Sequence, residues 1–245
     1  MSSLTVRLLP YGTLDGPANM AADETLLDSA VAAAVSLRFY GWSEATLSLG
    51  YFQPEQVRCR DDRLAQLPFV RRPSGGEALV HHHELTYALA LPPGTSWQDR
   101  DACSRCMHRI IAAALAGLGV PVSLHVLTGE PLAPGFLCFL HATLGDLMIG
   151  PTKVVGSAQR RQRGALLQHG AILLAQSPYT PALPGIRELT GRDVDVAALT
   201  AALRNAFVEG TGWELRDEEW TATERQRIDA LVAAKYKRDA WNRKR

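Results

Sequence analysis

The chain has 245 residues, 26 basic and 25 acidic, a formal net charge of +1, and is 47% hydrophobic and 21% charged. This length and apolar content predict the packed core of one large domain, and the even charge balance excludes any global attraction to nucleic acid or an anionic membrane. No stretch approaches the roughly 20 apolar residues of a membrane span. The first residues lack the charged start and apolar run of an export signal. A cytoplasmic protein is therefore expected, with Cys59, Cys103, Cys106 and Cys138 as free thiols.

In chain order, residues 4–9 read as a strand and Gly16-Pro17 as a turn. Asn19 is placed to cap a helix reaching about Ala34, with Leu26, Leu27, Val31 and Ala34 on one face. Residues 36–40 and 46–49 read as two strands joined by a turn, and a polar helical segment ends near Leu67. A short strand, 69–72, runs into Pro73-Ser74-Gly75-Gly76. Residues 78–81 and 85–91 read as a strand pair, and 97–118 as an amphipathic helix closed at Gly119. A strand at 123–127 precedes an irregular loop, 128–136, rich in Gly and Pro. Strands at 146–149, 154–158 and 166–174 form a second group, and residues 177–184 cross the surface. Helices at 196–209 and 223–236 lead to a basic tail, 235–245, expected to fray. The pattern predicts an α/β (α+β) fold, a mixed β-sheet flanked by helices. It reads as a single domain over 1–245 with C-terminal helices from about 195.

Four features could carry chemistry. Ser74-Gly75-Gly76, after Arg71-Arg72, offers backbone N–H groups and close approach to a ligand, yet it is neither a Walker loop nor a dinucleotide fingerprint. Read as an extended segment, His81-His82-His83 puts His81 and His83 on one side. No third ligand is placed beside them, so a histidine lining a pocket is expected rather than a metal site. Cys103 and Cys106, with His108, lie at the start of a helix and lack a second pair at zinc spacing. Cys138 is either a buried apolar thiol or a nucleophile, which would need a nearby cation to lower its pKa. Lys153, 15 residues on, could supply it across a hairpin. Arg160, Arg161 and Arg163 read as a solvated turn, because neither aromatic interleaving nor a recognition helix accompanies them.

In order along the chain, residues 19–24 (NMAADE), 37–42 (LRFYGW), 48–53 (SLGYFQ), 71–76 (RRPSGG), His81 with 84–87 (ELTY), 153–160 (KVVGSAQR) and 167–170 (LQHG) resemble the lipoate–protein ligase A/octanoyltransferase family, relatives of biotin–protein ligases. The resemblance implies the biotin/lipoate ligase-like catalytic fold, with an acyl tunnel near the double glycine. It implies that Arg71, Ser74, Gly75, Gly76, His81, Gly156, Ser157, Ala158, His169 and Gly170 bind substrate, and that Lys153 points at the reacting carbonyl.

One branch of the family activates a free acid with ATP. The other passes the acyl group through a cysteine, and Cys138-Phe139 stands at that branch's spacing from Lys153. Glu77, where the family usually has Gly or Arg, would sit awkwardly beside an adenylate phosphate. The implied reaction is octanoyl transfer from octanoyl-acyl carrier protein to a lysine of a lipoyl domain or glycine cleavage H-like protein, through a Cys138 thioester. Catalysis falls to Cys138 and Lys153, with no metal and no cofactor, in a monomer. The alternatives are an ATP-dependent lipoate–protein ligase, octanoyl transfer between lipoyl domains, and a non-catalytic acyl- or lipoyl-domain-binding module.

Overall fold

The computed structural model describes residues 4–95, 97, 100–126 and 136–245. The strands are β1 (Thr5–Leu14), β2 (Ser36–Trp42), β3 (Thr46–Leu49), β4 (Phe69–Arg71), β5 (Leu79–His81), β6 (Glu84–Leu91), β7 (Ser123–Leu124), β8 (Leu147–Ile149), β9 (Thr152–Gln162), β10 (Ala165–Leu173) and β11 (Glu214–Asp217). The helices are α1 (Gly16–Val31), α2 (Asp62–Ala65), α3 (Arg100–Gly117), α4 (Ile186–Thr190), α5 (Val196–Thr211), α6 (Ala222–Leu231) and α7 (Asp239–Asn242). An eight-stranded sheet runs β11-β1-β2-β6-β10-β9-β8-β7, and a three-stranded sheet runs β4-β3-β5. β1 pairs in parallel with β2 and β11 while β6, β9 and β10 pair antiparallel, so the large sheet is mixed as expected.

β6 and β10 are buried along their whole length, because both faces of the sheet are covered. On one face, Leu89 of β6 and the even residues Leu166 and Ile172 of β10 meet α3 and α5 through Ile111, Leu115, Leu203 and Phe207. The odd residues of β10 divide between two partners. Ala165 and Leu167 pack under Leu26, Leu27 and Ala30 of α1. Ala171 and Leu173 pack under Leu47, Leu49 and Val80 of the small sheet, together with Leu137 and Phe139. His169 lies between these two groups, at the seam where α1 gives way to the small sheet. A strand's period of two thus aims this histidine into the seam between the two groups.

Several local expectations are corrected. Asp15, not Asn19, caps α1, accepting from Ala18 N–H at 2.8 Å. Asn19 lies inside the helix and donates to Leu14 O and Gly41 O. β5 and β6 belong to different sheets, so they are not the strand pair expected. β5 has only three residues, and alternation cannot tell so short a strand which sheet it joins. The polar segment before Leu67 divides into a 3₁₀ stretch, Glu55–Arg60, and α2. β11 is charged and exposed, the habit of an edge strand, and leaves little periodic signal.

The basic tail is held rather than frayed. α6 continues through a π-helical turn, Val232–Tyr236, to α7. There the fully buried Arg71 guanidinium donates to Asn242 O at 2.9 Å, and Asn242 Oδ1 accepts from Arg71 N–H at 2.9 Å. Of the irregular loop read at 128–136, all but Phe136 lies outside the described residues.

Candidate active site

Cys138 opens a 3₁₀ turn, Cys138–Leu140, at the rim of the small sheet. Its N–H donates to Ala78 O at 2.8 Å, and Ala78 N–H donates to Phe136 O at 3.1 Å. These bonds fix the half-buried thiol beside the strand that enters β5.

Lys153, near the start of β9, is buried, and its Nζ lies 3.6 Å from Cys138 Sγ. The same ammonium meets Asp146 Oδ2 at 2.8 Å and donates to Cys138 O at 3.2 Å. Asp146 is held in turn by the Thr143 N–H at 2.7 Å and hydroxyl at 3.0 Å. Burial works against the Lys153 charge, but the Cys138 thiolate and the Asp146 carboxylate outweigh it and raise the lysine pKa. Lys153 is thus a fixed cation beside the sulfur.

Two histidine chains brace the pocket. His169 Nδ1 faces Asp23 Oδ2 at 2.7 Å and its Nε2 faces Ser74 Oγ at 2.5 Å. Asp23 also accepts from the Tyr40 hydroxyl at 2.9 Å and pairs with Arg38 at 3.6 Å. His81 Nδ1 faces Glu84 Oε1 at 2.5 Å, its Nε2 faces Ser48 Oγ at 2.7 Å, and its ring stacks on Trp42 with centroids 3.7 Å apart. Burial pushes the His81 pKa down, although Glu84 opposes the shift. Both histidines spend both ring nitrogens on the protein, so they orient the walls. The segment 81–83 is not extended throughout: His81 ends β5, then the chain bends and His82 stacks on His83 with centroids 3.7 Å apart.

The pocket spans about 400 Å³, part of it open solvent. It brings together Cys138, His81, Gly156, Ser157, Ala158, His169 and Gly170, with Met20, Leu79, Phe139 and Ala171 as apolar wall. Ser74, Gly75 and Gly76 stand behind this lining. Their loop is held by Arg72, whose Nη2 donates to Gly75 O at 2.9 Å and Glu77 O at 2.8 Å. Arg71 does not reach the pocket: it points to the tail and to Gly50 O and Gln53 O, and Arg72 lines the pocket instead. The doubled arginine in the sequence concealed which of the two faces inward. Pairing between β8 and β9 stops at Val155, so one edge of β9 beyond it carries no strand partner among the described residues.

Sequence reasoning missed Asp146, Arg72, Asp23 and Tyr40. A signal for Asp146 existed: an acidic residue at the foot of β8, seven residues before Lys153, lies across a tight hairpin.

A lysine-paired cysteine beside a mostly apolar pocket, on a mixed sheet covered by helices, is the site this α/β protein presents. The lipoyl protein ligase A/B catalytic domain matches residues 15–180, and the chain belongs to that family. Octanoyltransferase LipM of Symbiobacterium thermophilum is 34% identical, over 96% of this chain and 97% of its own. Octanoyltransferase LipM of Geobacillus kaustophilus is 32% identical, over 98% of each. Among solved structures, a lipoate-protein ligase A bound with ATP superposes with a TM-score of 0.81 at 23% identity, over 98% of this chain and 99% of that one. A bipartite lipoate protein ligase from Thermoplasma acidophilum, studied with its E2 lipoyl domain, gives 0.77 at 22%, over 98% and 96%. These two likenesses establish the biotin/lipoate ligase-like fold. Among the described residues, no helix is long and apolar enough to cross a membrane.

Proposed function

We propose that the protein is an octanoyltransferase of protein lipoylation that carries the acyl group on Cys138. Octanoyl-acyl carrier protein is the donor, and the acceptor is a lysine of a lipoyl domain or a glycine cleavage H-like protein. The enzyme acts as a cytoplasmic monomer.

The observation that carries this reading is the 3.6 Å approach of Lys153 Nζ to Cys138 Sγ, with Asp146 at 2.8 Å behind the lysine. The thiolate attacks the donor carbonyl, and the carrier thiol leaves as the Cys138 thioester forms. One thioester replaces another, so the step is near balance and needs no nucleotide. The acceptor amine then attacks the Cys138 thioester, and the amide product draws the reaction forward. Each methylene buried in the pocket contributes about 0.8 kcal/mol, which lets apolar walls select chain length. The ordered sequence similarity to octanoyltransferases over nearly the whole chain supports the same reading.

The test is transfer of octanoate from octanoyl-acyl carrier protein to a lipoyl domain, with and without ATP. Transfer without ATP, lost in Cys138→Ser, is expected. Full activity in Cys138→Ala, or dependence on ATP and free acid, would contradict it.

A further inference from the structure

The loop at 50–53 ties the pocket to the outer surface. Tyr51 N–H donates to Ser74 O at 2.8 Å, and Gln53 Nε2 donates to Phe136 O at 3.2 Å, two residues before Cys138. Between them Phe52 turns outward, 68% exposed, with its ring edge-on to Tyr51 at 4.9 Å between centroids.

Three cations surround this loop. Arg160 is exposed on β9, two residues beyond the pocket-lining Ala158 and on the same face, a step of about 7 Å along a strand. Its guanidinium lies 5.6 Å from the Tyr51 ring centroid. Lys244 Nζ lies 3.6 Å from the Tyr51 centroid and 3.4 Å from that of Trp241. The exposed Arg245 lies 5.3 Å from the rings of both Tyr51 and Phe52. Nearby carboxylates are already engaged: Glu24 with Lys235 at 2.5 Å, and Glu55 with Arg243 at 2.8 Å. Among the described residues, no ion pair holds the side chains of Arg160, Lys244 or Arg245. The gathered positive charge lowers the Tyr51 phenol pKa, Lys244 foremost. An exposed aromatic ringed by uncompensated cations has the composition of a protein interface.

We infer that Phe52, Arg160, Lys244 and Arg245 form the docking face for the acyl donor, and that they receive an acidic surface of the carrier protein. The inference rests on the Cys138 transfer proposed above. Charge separates the two macromolecular substrates. The acceptor must present a lysine ammonium, which a cation cluster beside the pocket repels. The donor presents an uncharged thioester, so carboxylates around its acyl arm meet attraction and no penalty at the reacting end. With a net charge of only +1, the chain draws an acidic partner through this local field rather than through its total charge. Such a field acts on the encounter rate and on orientation, and it brings the arm in beside Ala158 and the Ser74–Gly76 loop.

The test measures acyl loading by intact mass in the wild type and in the double variant Arg160→Glu, Arg245→Glu, both at exposed positions. From octanoyl-acyl carrier protein at low salt, loading is expected to slow at least about 10-fold, the lower end of the range over which charge steers association. The difference is expected to shrink in about 1 M salt, where charges are screened within about 3 Å. Loading from octanoyl-pantetheine, the same thioester without protein or phosphate, is expected to stay unchanged, as is discharge of the acyl-enzyme by a lipoyl domain. Unslowed loading from the carrier protein, or a loss that salt does not reduce, would overturn the docking face. Equal slowing with octanoyl-pantetheine would place the defect in the pocket and overturn it too. Slowing with octanoyl-phosphopantetheine as large as that with the carrier would assign the cations to the arm's phosphate, and slowed discharge would assign them to the acceptor; either result overturns the inference. A wild type loaded by neither thioester would instead overturn the Cys138 reading, and the inference with it.

Discussion

Gly156 lies so close to Lys153 that a Cβ built on it would fall 2.4 Å from the lysine Cε and 2.8 Å from Nζ. The lysine side chain folds back over this glycine to reach the sulfur and Asp146. Gly156→Ala should therefore displace the ammonium while leaving β9 paired with β10. Acyl loading is expected to fall about 10²-fold or more, within the range by which positioned proton-handling groups act. Loading rate and far-ultraviolet circular dichroism together check this, the second remaining unchanged.

Asp146→Asn removes the counter-charge from a buried lysine. Breaking one side of a buried pair costs about 3–5 kcal/mol, so the melting temperature should drop. The lysine pKa should fall as well, because the carboxylate is one of the groups that raise it. The alkaline limb of the loading rate should move to lower pH in Asp146→Asn, which a pH profile of single-turnover loading would reveal.

Asp23 joins three partners at the floor of the seam: His169 at 2.7 Å, Tyr40 at 2.9 Å and Arg38 at 3.6 Å. Asp23→Asn should leave the Arg38 charge unbalanced and release His169 from Ser74. A loss of about 3 kcal/mol or more in urea unfolding is expected, with a raised KM for the acyl donor as the Ser74–Gly76 loop loosens.

Glu224 should contribute to acid tolerance. Burial alone would raise its pKa, but Arg7, Thr221 and Ser29 outweigh it and lower the value from 4.5 to about 2. A carboxyl depressed in the folded state stabilises it fully above its unfolded value and loses that contribution as pH falls through the folded one. Stability should thus decline between about 4.5 and about 2, and Glu224→Gln should flatten that window in acid unfolding curves.

The mixed sheet, the long helices and the pairing of Cys138 with Lys153 were legible in the sequence. Buried strands such as β6 and β10 announce themselves as apolar runs, whereas the hairpin expected between Cys138 and Lys153 is not what joins them, because Cys138 sits on a 3₁₀ turn and Lys153 pairs with Met148. What escaped was set by tertiary contact. Arg71 and Arg72 are neighbours, yet one is claimed by the tail and the other by the pocket loop. Asp15 beats Asn19 as the cap because Pro17 starts the helix earlier than the apolar periodicity does. The docking of 235–245 depends on Arg71, about 170 residues upstream, and no local signal records it.

The central claim is that the acyl group rests on Cys138 beside Lys153. Intact-protein mass spectrometry after mixing with octanoyl-acyl carrier protein, in the absence of ATP, tests it most directly. The account predicts a gain of one octanoyl group, mapped by proteolysis to the peptide holding Cys138 and chased off by a lipoyl domain. An unmodified enzyme that still transfers octanoate, or a label on any other residue, would contradict it.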